Sequence, residues 1–394
     1  MSGVHPPDDF PPPDADAAEL SAELQTRLRA AIDAAGGAIP FDRYMEFALY
    51  APGLGYYSNG LRKFGSGGDF VTAPEISDLF GRCIARSIAP VLKETAGDVL
   101  ELGAGSGVLA VDLLGELQVL DALPARYLIL ERSGELRARQ QARLSRALAD
   151  MPVRIEWLDS LPGQAFDGVV FANEVVDALP VKRFRWQPQA SVELGVGWRD
   201  GRLAESDLPL TGQRLQQFID TLAVQHHWEA GYESEWCPSL PAWIAGLAGA
   251  LGRGLLLFVD YGYGRAEYYH PQRARGTLMC HYRHRVHPDP LLLPGLQDIT
   301  AYVDFTALAE AASGAGLALA GYTSQANFLL DCGLESMLAA FDPRDRRGWL
   351  KKVSELKTLV MPGEMGERFK VMALTKGIDA APGGFGGRDL RGGL

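Results

Sequence analysis

Residues 98–107 read Asp98-Val-Leu-Glu101-Leu-Gly103-Ala104-Gly105-Ser-Gly107, and no other stretch restricts the folding options of the chain so tightly. Val99, Leu100 and Leu102 make a short apolar run of strand type, three glycines alternate with small residues, and 108–117 continues at helical spacing. Glycine reaches positive φ and lets backbone approach a ligand closely. The helix start beyond it presents N–H groups that have no partner inside the helix. A strand, a glycine turn and a helix in that order predict one half of a nucleotide-type cofactor site on an open α/β sheet.

The details of the turn separate it from its relatives. A dinucleotide fingerprint needs G-x-G-x-x-G, whereas Gly107 follows Gly105 after one residue and Glu101 sits within the motif. A P-loop ends in Gly-Lys-Ser/Thr, whereas Gly107 is followed by Val108. An acidic residue is poor company for phosphate and good company for a cation. E-x-G-x-G-x-G therefore points to S-adenosylmethionine, whose sulfonium and amino groups are positive, with Glu101, Gly103, Ala104, Gly105 and Gly107 as its candidate contacts. The competing reading is an ordinary tight strand-to-helix turn. A second apolar run, Tyr127-Leu-Ile-Leu130, ends in Glu131, placed to accept the hydroxyls of a ribose. A solvated strand end is the alternative for Glu131.

The chain has 394 residues, 47% hydrophobic and 22% charged, a globular balance. Its formal net charge of -11 opposes broad nucleic-acid binding, which depends on Lys and Arg. Cys83, Cys237, Cys280 and Cys332 are scattered, without a C-x-x-C pair, so neither a disulfide framework nor a zinc knuckle is expected. The opening Met-Ser-Gly-Val-His-Pro-Pro-Asp lacks the basic and apolar segments of a secretory signal, and no run reaches membrane-span length. The expectation is a cytoplasmic protein.

The predicted organisation is a disordered tail over 1–18, a helical, cofactor-covering region over 19–96, a core over 97–376 with insertions near 183–250 and 262–303, and a flexible Gly-rich tail over 377–394. Strands are expected at 153–158, 168–172, 255–259, 317–322 and 369–374. Alternating strands and helices imply a doubly wound, mostly parallel sheet. Beyond the fourth strand the chain reads Asn173-Glu174-Val-Val-Asp177-Ala-Leu-Pro180. Ligands bind beyond the carboxyl ends of such strands, so Asn173, Glu174 and Asp177 are the candidate catalytic residues, able to orient a guanidinium or amine and to take up its proton. Capping of a helix is the alternative for Asp177. Asp159 and Ser160, ending the third strand, are candidate contacts for an adenine amino group, or else turn residues before Pro162. His281, His284 and His287 share a helical spacing, but Pro288 ends any such helix and no standard zinc partner follows, so no metal is expected.

Several stretches together resemble one family: Gly37-Ala-Ile-Pro40-Phe, Tyr50-Ala-Pro-Gly-Leu-Gly-Tyr-Tyr57, Gly68-Asp-Phe-Val-Thr-Ala-Pro-Glu75, the Glu101 loop, Asn173-Glu174 through Leu179-Pro180, and Gln297-Asp298-Ile-Thr through Asp304-Phe305. They are similar to the S-adenosylmethionine-dependent methyltransferases that include the mitochondrial complex I assembly arginine methyltransferase and its bacterial relatives. The resemblance runs from about Gly36 to Lys376. It implies a class I, Rossmann-like methyltransferase fold with a helical N-terminal region and an insertion over the sheet. It also implies S-adenosyl-L-methionine as cofactor and methylation of arginine in a protein substrate, with a respiratory complex I subunit as the mitochondrial target. By the same resemblance Gly68, Asp69 and Thr72 cover the cofactor, Asn173 adjoins it, and Glu174 and Asp177 hold the target guanidinium. A homodimer is left open. A small-molecule or nucleic-acid methyltransferase and a non-catalytic assembly factor that kept the fold are the competing expectations.

Overall fold

The computed structural model describes residues 10–60, 72–210, 212–342 and 344–394. Gly68 and Asp69 lie outside the described residues. The chain divides into two compact units, one of Val71–Asp177, Leu240–Ala266 and Tyr302–Leu394, the other of Met1–Phe70, Ala178–Ser239 and Glu267–Ala301.

The first unit is built on an eight-stranded sheet. Its strands in chain order are β1 (Asp98–Leu102), β2 (Arg126–Leu130), β3 (Arg154–Leu158), β4 (Phe166–Asn173), β5 (Leu251–Tyr263), β6 (Val303–Asp304), β7 (Ala318–Ser324) and β8 (Phe369–Lys376). Their order across the sheet is β7-β8-β5-β4-β1-β2-β3, with β6 pairing off β5. The pairs β5–β4, β4–β1, β1–β2 and β2–β3 are parallel, and β8 runs antiparallel to both β5 and β7. All five residues of β1 are buried, as a strand covered on both faces requires.

From β1 the sheet grows one way through β2 and β3 and the other way through β4 and β5. That reversal is the switch point at which open α/β sheets leave a crevice at their carboxyl edge. It places the end of β1, with Glu101, beside the end of β4, with Asn173. Helix α1 (Asp78–Thr95) packs on α2 (Val108–Val119), which in turn meets α3 (Gly134–Ala147). The α1 residues Phe80, Ile84, Ile88 and Val91 and the α2 residues Leu109, Leu113 and Leu117 join Val99, Val169, Phe171 and Leu257 of the sheet in one core.

The second unit holds a five-stranded antiparallel sheet of Ala38–Pro40, Lys182–Arg185, Val192–Arg199, Arg202–Pro209 and Glu233–Trp236, most of it from the insertion near 183–250. A three-stranded sheet of Met279–Tyr282, Arg285–His287 and Asp298–Thr300 belongs to the same unit. Leu24, Leu28 and Ile32 of the helix Ala15–Ala34 share a core with Phe41, Tyr44 and Val196.

Three expectations are corrected here. The first helix starts at Ala15, its N-cap Asp14 accepting from Ala17 N at 3.0 Å, and Phe10 stacks on Tyr282, so residues 10–18 are ordered. Helix α1 belongs to the sheet unit rather than to an N-terminal region ending at 96. Residues 377–394 are not a free tail: Gly383 exchanges hydrogen bonds with Ser87 at 3.0 and 2.8 Å, and Phe385 meets Phe328 edge-on at 5.5 Å. Phe385 fits because Gly321 has no side chain, a Cβ there lying 2.2 Å from the ring. The histidine segment, for which no helix is expected, forms a hairpin with Cys280 opposite His287. Among the described residues no helix is long and apolar enough to cross a membrane.

Gly168 on β4 sits at φ +135°, and a Cβ there would lie 2.0 Å from Asp98 O on β1. Gly168→Val should therefore cost about 3 kcal/mol, a fall in Tm of roughly 6–12 °C for a unit of this size. Gly115→Ala on α2, where the added carbon meets open space, should leave Tm unchanged or raise it slightly. Thermal melts followed by circular dichroism test both.

Candidate functional site

The glycine turn is held open by geometry that only glycine adopts cheaply. Gly103, Gly105 and Gly107 have φ of 63°, 52° and 77°. Gly103 N donates to Leu130 O at 3.1 Å and Gly107 N to Ala104 O at 2.8 Å, which folds the loop back over the ends of β1 and β2. Gly107 is the N-cap of α2 and supplies no side-chain cap, so the first N–H groups of the helix are left for a ligand. Ser106 donates to Glu75 and accepts from Arg143 Nη1 at 2.9 Å, pinning the outside of the loop.

Beneath it, Glu101 is 2% exposed and accepts from Tyr127 Oη at 2.9 Å. Burial pushes its carboxyl up to about 7, against the pull of the Tyr127 hydrogen bond and with help from the charge of Glu131. A buried acid with no cation beside it among the described residues fits a positively charged ligand at the loop. At the end of β2, Glu131 accepts from Ser133 N at 2.8 Å through Oε1 and from Gln140 Nε2 at 3.0 Å through Oε2. The loop and this carboxylate fit the two ends of an adenosyl amino acid.

Asp159 and Ser160 are exposed beyond β3, and Asp159 pairs with Arg137 at 2.9 Å. Thr72 precedes the short helix Ala73–Ile76, where its carbonyl accepts from Glu75 N at 2.9 Å.

Across the crevice stand Asn173, Glu174 and Asp177. Glu174 has φ of 54°, a left-handed conformation that costs a non-glycine residue energy and gathers at functional sites. It is held there by its own N–H, which donates to Val259 O at 2.9 Å. Asn173 Nδ2 donates to Glu174 Oε1 at 2.9 Å, and the Ala73 N–H also faces this carboxyl. Asn173 Oδ1 is buried and finds no hydrogen-bond partner among the described residues. Asp177 lies in a turn rather than at a helix start, so it is no helix cap.

The structure adds a residue that sequence reasoning missed. Asp260, fully buried on β5, accepts from Val176 N at 2.9 Å, Asp177 N at 3.2 Å and Tyr261 N at 2.9 Å. It anchors the turn that carries Asp177. Burial raises its carboxyl well above the usual range, and the charges of Asp177 and Glu174 raise it further. Glu174 is pushed up to about 8 by burial and then by Asp177. Three acids at the carboxyl ends of β4 and β5 suit a cationic acceptor and a proton to be removed. The histidine hairpin belongs to the other unit, and among the described residues no group of three or more His, Cys, Asp or Glu side chains could hold a metal.

Comparison with known proteins agrees with this geometry. Residues 83–323 match a family model described as "Putative S-adenosyl-L-methionine-dependent methyltransferase". The protein arginine methyltransferase NDUFAF7, mitochondrial, of Danio rerio is 30% identical over 86% of this chain and 84% of its own. Its Homo sapiens counterpart is 29% identical over 86% and 80%. A Burkholderia thailandensis crystal structure bound to S-adenosyl-homocysteine shares 45% identity and a TM-score of 0.93, covering 98% of this chain and 100% of that one. With more than half its length matched by the family model and a 30% identical relative along most of it, the chain belongs to the S-adenosyl-L-methionine-dependent methyltransferases, among which it is homologous to the NDUFAF7 proteins.

Proposed function

We propose that this methyltransferase acts on arginine in a protein substrate. The observation that carries the reading is the convergence of Glu174, Asp177 and Asp260 at the switch point, beside the glycine loop. The printed names of the curated relatives support it. A respiratory complex I subunit is the target the family resemblance implies. The relatives are named as mitochondrial proteins, and a cytoplasmic place of action is part of the proposal for this chain.

Glu101, Gly103, Ala104, Gly105 and Gly107 hold the amino-acid end of the cofactor in this reading, and Glu131 its ribose. Asp159 and Ser160 border the adenine, and Gly68, Asp69 and Thr72 cover the cofactor. The cofactor supplies a methyl group activated on a sulfonium. The protein's part is positioning and electrostatics, which dominate a displacement. Glu174 and Asp177 hold the guanidinium by charge-assisted hydrogen bonds, with Asn173 fixing the Glu174 carboxyl. An arriving cation lowers the pKa of Glu174 from about 8 and converts it to the ionised acceptor of the nitrogen's proton.

Purified protein incubated with methyl-labelled cofactor and lysate from cells lacking the gene should label a protein at arginine. Glu174→Gln should lower kcat roughly 10²- to 10⁴-fold while S-adenosyl-homocysteine affinity holds. Label recovered only in RNA or small molecules overturns the reading.

The same substitution has a stability signature. The folded state holds the Glu174 proton up to about pH 8, whereas the ordinary value is 4.5. Its contribution is thus fully present below about 4.5 and lost as pH rises through about 8. Glu174→Gln should raise Tm at pH 8 and leave it unchanged at pH 4.5, as calorimetry across that range will show.

A further inference from the structure

Gln140 projects from the middle of α3 and has no exposed surface. Its amide meets three different segments of the cofactor site. Nε2 donates to Glu131 Oε2 at 3.0 Å and to Gly105 O at 2.9 Å, and Oε1 accepts from Trp157 Nε1 on β3 at 2.9 Å. A Cβ on Gly107 would lie 3.5 Å from Gln140 Cγ, so the loop rests on the side chain as well as on the amide.

We propose that Gln140 is a positioning residue for the cofactor, locking the Glu131 carboxylate and the glycine turn into one rigid frame. The inference rests on the reading of Glu131 as the ribose acceptor. The indole N–H is a donor only, so it fixes the amide oxygen toward Trp157 and leaves both amide hydrogens for Glu131 and Gly105. Reversing the amide would set its oxygen against a carboxylate and a carbonyl. With both hydrogens spent on the protein, Gln140 acts through Glu131 and Gly105 rather than on the ligand. Among the described residues Ser133 N donates to one Glu131 oxygen and Gln140 Nε2 to the other, which fixes the plane of the carboxyl group as recognition of a vicinal diol requires.

The test is a cycle between the side chain and the ribose hydroxyls. Calorimetry measures the affinity of the full-length protein for S-adenosyl-homocysteine and for its 2′-deoxy counterpart. Wild type should prefer the hydroxylated ligand by about ten-fold or more, the worth of a hydrogen bond to a charged group. Gln140→Leu should lose most of that preference, and Glu131→Ala all of it. Should Gln140→Leu not fold, Gln140→Met keeps the side-chain length without the amide. Trp157→Phe, which frees the amide to turn, should give an intermediate preference. A Gln140 variant that weakens both ligands equally, with the preference intact, has a general packing role and overturns the proposal. So does one that binds both like wild type. If wild type itself shows no preference and Glu131→Ala changes nothing, the ribose reading of Glu131 fails, and the role of Gln140 falls with it.

Discussion

Everything in the site depends on the point where the strand order reverses. Because the chain leaves β1 toward β2 and later returns on the other side as β4, the loops after these neighbouring strands diverge instead of packing on each other. The gap exists before any side chain is chosen. What the sequence must then supply is backbone that can line it closely, met by three left-handed glycines, and polar side chains at the strand ends, met by Glu101, Glu131, Asn173 and Asp260.

Those polar residues work against the fold that holds them. Glu101 and Asp260 are buried carboxyls, and Glu174 adds strained backbone to a raised pKa. A charge taken out of water without a partner costs several kcal/mol. The surrounding core offsets this: β1, β4 and β5 carry Val99, Val169, Val170, Leu255, Leu256 and Leu257 at zero exposure. In the proposed reading a cation entering the site relieves this conflict. Sites with such local conflicts are where function is expected.

What could be read from the sequence follows the same division. The strands of the sheet and the Glu101 loop were legible because apolar runs and glycine spacing are local signals. Asp260 was not, since an acid at a strand end reads as solvent-facing, and its donors, the N–H groups of residues 176 and 177, are more than eighty residues away. Gln140 was hidden for the opposite reason: a glutamine among arginines on a polar helix reads as surface, and only the Trp157 indole and Glu131 show it to be buried. The C-terminal stretch misled by composition, since its glycines suggest freedom whereas Gly383 and Phe385 are docking points. The histidine hairpin turns through Arg283 and His284 at φ of 47° and 61°, without the glycine or asparagine that would mark it.

The two halves of the crevice are supported by groups of different charge, and the difference has a chemical logic. Behind Glu131 stands the neutral amide of Gln140, which stabilises an anion. Its Nε2 donor fixes the carboxyl group at the end of β2, ready in the proposed reading to face a diol. Behind Glu174 and Asp177 stands another acid, Asp260, whose carboxyl burial and then their charges push up, as Asp177 pushes up Glu174. A carboxylate that must only bind gains from a donor, whereas one that must also take a proton gains from a like-charged neighbour.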